Sequence, residues 1–143
     1  MRPGAVAPRI LAGAAATYAL ARFERLATRW LGAAPVFSPE RIAARALTRE
    51  SVAKAAGAVL RAGYGPALGL AWTSAPAWRR LQWPLRALLA GVGTFAVELF
   101  AMPVSGATPP LSTWSRSEVA LLLGQTLVFG AVLAAGSALA EQG

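Results

Sequence analysis

Two ionisable side chains, Arg61 and Glu98, interrupt stretches of this 143-residue chain that are otherwise apolar. They are where chemistry could be done. A charge inside a bilayer costs at least about 2.5–3.5 kcal/mol on insertion scales, so each must face protein or water. Gly57, Arg61, Gly65 and Gly69 recur at spacing four, and Ala87, Gly91, Thr94, Glu98 and Met102 form a comparable stripe. Both charges therefore sit on small-residue faces expected to pack together, and Gly65-x-x-x-Gly69 lets another helix approach the backbone. At about 1.5 Å per residue, Arg61 lies roughly 16 Å from the connection between the two segments and Glu98 roughly 21 Å. The spacing predicts an Arg61–Glu98 ion pair, with Gln125 and Thr126 reaching the same level from the opposite end. Such a cluster is either a structural clamp or a site for a proton or substrate.

Other chemistry is limited by composition. The chain has no cysteine and no histidine, and its only methionines are Met1 and Met102. This excludes disulfides, thiolate metal sites, His-ligated haem and Ser-His or Cys-His catalysis. No Gly-rich phosphate cradle, carboxylate pair or nucleophile–base arrangement stands out. We expect no catalytic, metal or cofactor site, although lipid or pigment contacts are compatible with the apolar surface.

The elements that must position Arg61 and Glu98 follow from hydropathy. Hydrophobic residues make up 56% of the chain and charged ones 14%, against about 25% charged in ordinary soluble proteins. Residues 119–140 carry no charge, and at about 1.5 Å per residue they are long enough to cross a bilayer core of roughly 30 Å. Three weaker apolar segments precede them. The expected fold is all-α: an integral membrane protein of four transmembrane helices in two hairpins, forming one domain over residues 1–143. The spans run over about 5–26, 52–72, 84–102 and 119–140. Trp72, Trp78 and Trp83 surround the second connection, and Trp30 and Trp114 lie in the other two, as an interfacial aromatic belt would require. Arg2, Arg9 and Ala19-Leu20-Ala21 resemble a signal peptide, but the Ala/Gly-rich run between them reads better as a retained first span.

In the first connection, Ser38 suits an N-cap, Pro39 the first helical position and Glu40 the positive helix end. Arg41, Arg45 and Arg49 then form a stripe beside Ile42, Ala43, Ala46 and Leu47, predicting a short amphipathic helix over 39–50 on the membrane surface. The first and third connections carry Arg22, Arg25, Arg29, Arg41, Arg45, Arg49, Lys54 and Arg116. The other side carries Arg2, Arg9, Arg79, Arg80 and Arg86. The positive-inside bias puts the amphipathic helix in the cytoplasm and both termini outside. Pro66 permits a kink beside the glycine motif.

An internal echo accompanies this pattern. Leu11-Ala12-Gly13 and Thr17-Tyr18-Ala19 are answered by Leu89-Ala90-Gly91 and Thr94-Phe95-Ala96, and Tyr64-Gly65 by Phe129-Gly130. Two duplicated hairpins would share one orientation in the bilayer.

With Leu11-Ala12-Gly13, Ser38-Pro39-Glu40-Arg41-Ile42, Ala46-Leu47 and the two aromatic-Gly pairs, the chain resembles uncharacterised bacterial four-helix inner-membrane proteins, a domain-of-unknown-function type. The resemblance covers most of the length and implies a fold without an activity. Members often carry a histidine shortly before each aromatic-Gly pair, where this sequence has Arg61 and Thr126.

The functional expectation is a small multi-pass protein of the bacterial inner membrane that is not an enzyme. It would be an accessory or structural subunit of a larger assembly, respiratory or photosynthetic. The alternative is a small oligomeric transporter or channel using Arg61 and Glu98. Its partners would be the lipid bilayer and other membrane subunits. The net charge of +8 does not point to nucleic acid, because the arginines sit between apolar spans.

Overall fold

The computed structural model describes residues 6–32, 43, 50–104, 106 and 108–141. Among them the secondary structure is entirely helical. Helix α1 covers Val6–Leu31, α2 Glu50–Ser74 and α4 Arg116–Ala140. Helix α3 runs over Trp83–Val104, with a π-helical turn at Val97–Ala101. Single 3-10 turns, Trp78–Arg80 and Leu111–Thr113, lie in the last two connections.

The helix ends have local causes. Gly32 follows α1 with φ +62°, and its N–H donates to Thr28 O at 3.0 Å; glycine adopts this left-handed conformation without a Cβ penalty. Pro84 occupies the first turn of α3, where a missing N–H costs nothing. A capping box starts α4: the Glu118 N–H donates to Ser115 Oγ and the Ser115 N–H to Glu118 Oε2. Pro66 lies inside α2, which remains helical through it.

Neighbouring helices run antiparallel. Arg9 near the start of α1 donates to Ser74 Oγ at the end of α2, at 3.4 Å. A Cβ on Gly136 would meet Ala12, and one on Gly124 would meet Phe23, which sets the α1–α4 register. The most extensive packing is α3 on α4, then α1 on α4, then α1 on α2. Helix α4 is thus the hub. Ala12, Ala16, Ala90, Phe129 and Leu133 form the core, closed at one end by Trp78.

Helices α3 and α4 are both long and apolar enough to cross a membrane, and only 22% and 44% of their most apolar stretches are buried. Helices α1 and α2 are as long but do not meet that test. Arg9, Arg22, Glu24, Arg25 and Arg29 dilute α1, Glu50, Lys54 and Arg61 dilute α2, and both are rich in Ala and Gly. The expected segments 52–72, 84–102 and 119–140 each fall on one helix, as does 5–26 apart from Ala5, which lies outside the described residues. Arg41, Arg45 and Arg49 of the amphipathic segment also lie outside them; within it Ala43 is helical and buried, and Glu50 opens α2.

The tryptophans divide into two groups. Trp30 and Trp83 are exposed, at 88% and 59%, and Trp114 is half-buried with its indole N–H on Pro109 O. Two expectations need correction. Trp78 is 1% exposed and donates to Ser137 Oγ at 3.3 Å, so it plugs the bundle rather than lining an interface. Trp72 turns inward to Gly93 and Thr94. A tryptophan's position in a short connection does not reveal whether its ring faces lipid or closes the bundle end.

Candidate functional site: a buried polar cluster around Glu98

The cluster begins with glycine packing. A Cβ on Gly13 would lie 2.5 Å from Gly65 O, and one on Gly69 2.8 Å from Gly13 Cα. The Gly65–Gly69 face of α2 therefore closes on α1. A Cβ on Gly91 would lie 3.1 Å from Leu127 Cα, and one on Gly130 2.5 Å from Gly91 N, so the Gly91 face of α3 closes on α4. The two small-residue faces do not pack on each other, contrary to the sequence expectation. Periodicity identifies a narrow face but not which neighbour fills it. Gly57 is buried on α2.

With those faces used elsewhere, α2 and α3 meet through long side chains. Trp72 Nε1–H donates to Thr94 Oγ1 at 3.2 Å. Tyr64 O–H donates to Glu98 Oε1 at 2.9 Å. Glu98 is 1% exposed and sits in the π turn of α3. Its second oxygen, Oε2, has no hydrogen-bond partner among the described residues. On α4, Gln125 and Thr126 are both fully buried. Thr126 Oγ1 donates back to Leu123 O at 3.0 Å, whereas Gln125 Oε1 also lacks a partner among the described residues. Arg61 lies on α2 three residues before Tyr64, but its side chain is outside the described set, and the expected Arg61–Glu98 pair falls there with it.

No protein family, curated protein or solved structure matches this chain.

The cluster's chemical character rests on its own atoms. It offers oxygen acceptors on three helices (Glu98, Gln125 and the Tyr64 hydroxyl) and no sulfur or imidazole. No group of three or more His, Cys, Asp or Glu residues able to hold a metal ion occurs among the described residues. The sequence does not point to Tyr64 as Glu98's partner, although the Tyr64-Gly65 pair stands out in it. Its place three residues after Arg61, on the same helical flank, was the available signal.

A second buried charge was read from sequence only as a loop cation. Arg86, at 6% exposure, donates from Nε to Leu81 O, from Nη2 to Arg79 O and from Nη1 to Glu141 Oε2, at 2.9, 3.1 and 2.9 Å. Its guanidinium also lies 5.8 Å from the Trp78 ring centroid. This fork ties the start of α3, the preceding connection and the end of α4 into one corner. It serves architecture, well away from Glu98.

Proposed function

We propose that this chain is a four-span integral protein of a bacterial inner membrane, acting as a non-catalytic accessory or structural subunit of a larger assembly. The observation that carries this reading is the inverted distribution of polarity. Thr94, Glu98, Gln125, Thr126 and Ser137 are buried, while Leu11, Val59, Leu60, Leu85, Leu88, Leu89, Val92 and Phe100 are exposed. In water this costs twice, by wetting large apolar side chains and by desolvating polar ones. In lipid the exposed leucines are already solvated, and bundle interiors are where polar side chains belong. A four-span arrangement also shelters α1 and α2, whose glycine faces close on each other.

The subunit role is supported by a chain without thiol or imidazole chemistry and by exposed apolar flanks that a neighbouring subunit can cover. Two measurements test the proposal. Alkaline carbonate should leave the protein in the membrane pellet, and release into the supernatant would overturn the membrane reading. Native mass spectrometry after isolation in mild detergent should retain heterologous membrane subunits; a pure homo-oligomer would overturn the accessory role.

A further inference from the structure

The bundle interior holds a carboxyl group for which the helices supply too few donors. Glu98 Oε1 accepts from Tyr64, but Glu98 Oε2 and Gln125 Oε1, both on side chains 1% exposed, accept from nothing among the described residues. Buried polar atoms are almost always paired, so each exception requires a cause. Both orphans are acceptors. Another acceptor settles neither; a positive charge or a donated hydrogen settles both.

The register of α3 against α4 sets them at neighbouring levels. Helical side chains lean toward their own N-terminus. Helices α3 and α4 are antiparallel, with Gly91 beside Thr126 and Leu127. Glu98, about two turns beyond Gly91, leans back toward the level of Gln125, and Gln125 leans toward the level of Glu98. The π turn at Val97–Ala101 lies at this point, and π turns inside α-helices frequently mark functional sites.

We propose that Glu98 and Gln125 form a binding site for one monovalent cation, either a proton or an alkali ion, shared between α3 and α4. This goes beyond the structural role above. One carboxylate supplies one negative charge, and the all-oxygen donor set suits a hard cation. As a proton, the ligand sits on Glu98 Oε2 and is donated to Gln125 Oε1. As an alkali ion, it is ligated by the same two oxygens. Helix α2 presents the neutral Tyr64 hydroxyl, with Arg61 one turn away on the backbone. Helix α1 carries Glu24, and α4 offers Gln125 and Thr126 at this level. The two other orphaned oxygens, Thr28 Oγ1 and Thr108 Oγ1, lie toward the end of the bundle nearer Glu98, near the end of α1 and in the α3–α4 connection.

The test uses the full chain in detergent micelles. Its unfolding temperature is measured in sodium, potassium and N-methylglucamine chloride at equal ionic strength, and then across pH without alkali ions. A ligand bound only by the folded state raises that temperature with its concentration. Stabilisation by sodium or potassium over N-methylglucamine assigns an alkali ion. Indifference to alkali, with an infrared carbonyl band of a protonated carboxyl that Glu98→Gln removes, assigns a proton. Glu98→Gln should abolish either response. Tyr64→Phe, which withdraws the existing donor and keeps the carboxyl, should enlarge it, and this holds the test open should Glu98→Gln fail to fold. Wild-type protein that shows neither an alkali response nor a protonated-carboxyl band overturns the proposal, as does an unchanged response in Tyr64→Phe. The Gln125 amide would then be turned over to donate to Glu98.

Discussion

At the residue scale, burial separates charges that matter from charges that decorate. Arg86 is nearly enclosed and serves two backbone carbonyls and one carboxylate, whereas its partner Glu141 is 38% exposed at the side chain. The two ends of this ion pair should respond differently to removal. Arg86→Leu leaves the carbonyls of Arg79 and Leu81 without their donor, at about 1–3 kcal/mol for buried groups left unpaired. Arg86→Lys should recover little of this, because an ammonium lacks the planar fork that spans three acceptors. Glu141→Gln should cost at most about 1 kcal/mol, since water serves the exposed end. Unfolding of the three variants in detergent checks the ranking; a Glu141→Gln loss equal to that of Arg86→Leu would place the energy in the ion pair.

At the element scale, two glycine contacts hold the hairpins. Gly13 on Gly65 joins α1 to α2, and Gly91 on Gly130 joins α3 to α4. Gly13→Ala and Gly130→Ala each drive a methyl group into backbone atoms that cannot swing away, and overpacking of this kind costs about 1–3 kcal/mol. Gly63 has nothing within 4 Å of its would-be Cβ. Gly63→Ala should be neutral or stabilising by up to about 1 kcal/mol through helix propensity. Thermal unfolding of the three purified proteins checks this, and equal losses would show that glycine flexibility rather than contact is at stake. These contacts also mark how far the sequence could be read. The apolar runs made the helices legible, and spacing four made the narrow faces legible. Which helix fills each face was not, because Gly65 and Gly91 look equally receptive whichever neighbour arrives. The π turn was hidden too, since Val97-Glu98-Leu99-Phe100-Ala101 contains no helix breaker. Arg86 was hidden because its partners are main-chain oxygens and a residue 55 positions away. Glu98 was legible as a buried charge because it interrupts an otherwise apolar run, but its contact with Tyr64 depends on how α2 and α3 are spaced.

For the whole molecule, the Gly13–Gly65 and Gly91–Gly130 contacts are counterparts in the internal echo of the sequence, yet the two sides of the bundle are not equivalent. The α1–α4 side closes on small residues such as Ala12 and Gly136, while the α2–α3 side is held by Tyr64–Glu98 and Trp72–Thr94. The central helix, α4, packs on both α1 and α3. That has a consequence in time. Of the four helices, the ribosome makes the hub last. Until α4 emerges, the glycine face of α3 has nothing to close on, Trp78 lacks the Ser137 hydroxyl, and Glu98 has only α2 to shield it. A nascent chain stopped after Val104 therefore gains little from the three helices it already has, and membrane proteases should remove it quickly. In pulse–chase labelling it should decay much faster than the full chain, and supplying α4 as a separate polypeptide should slow that decay. Unassisted persistence of the three-helix product would show that the first hairpin, not the last helix, is the seat of assembly.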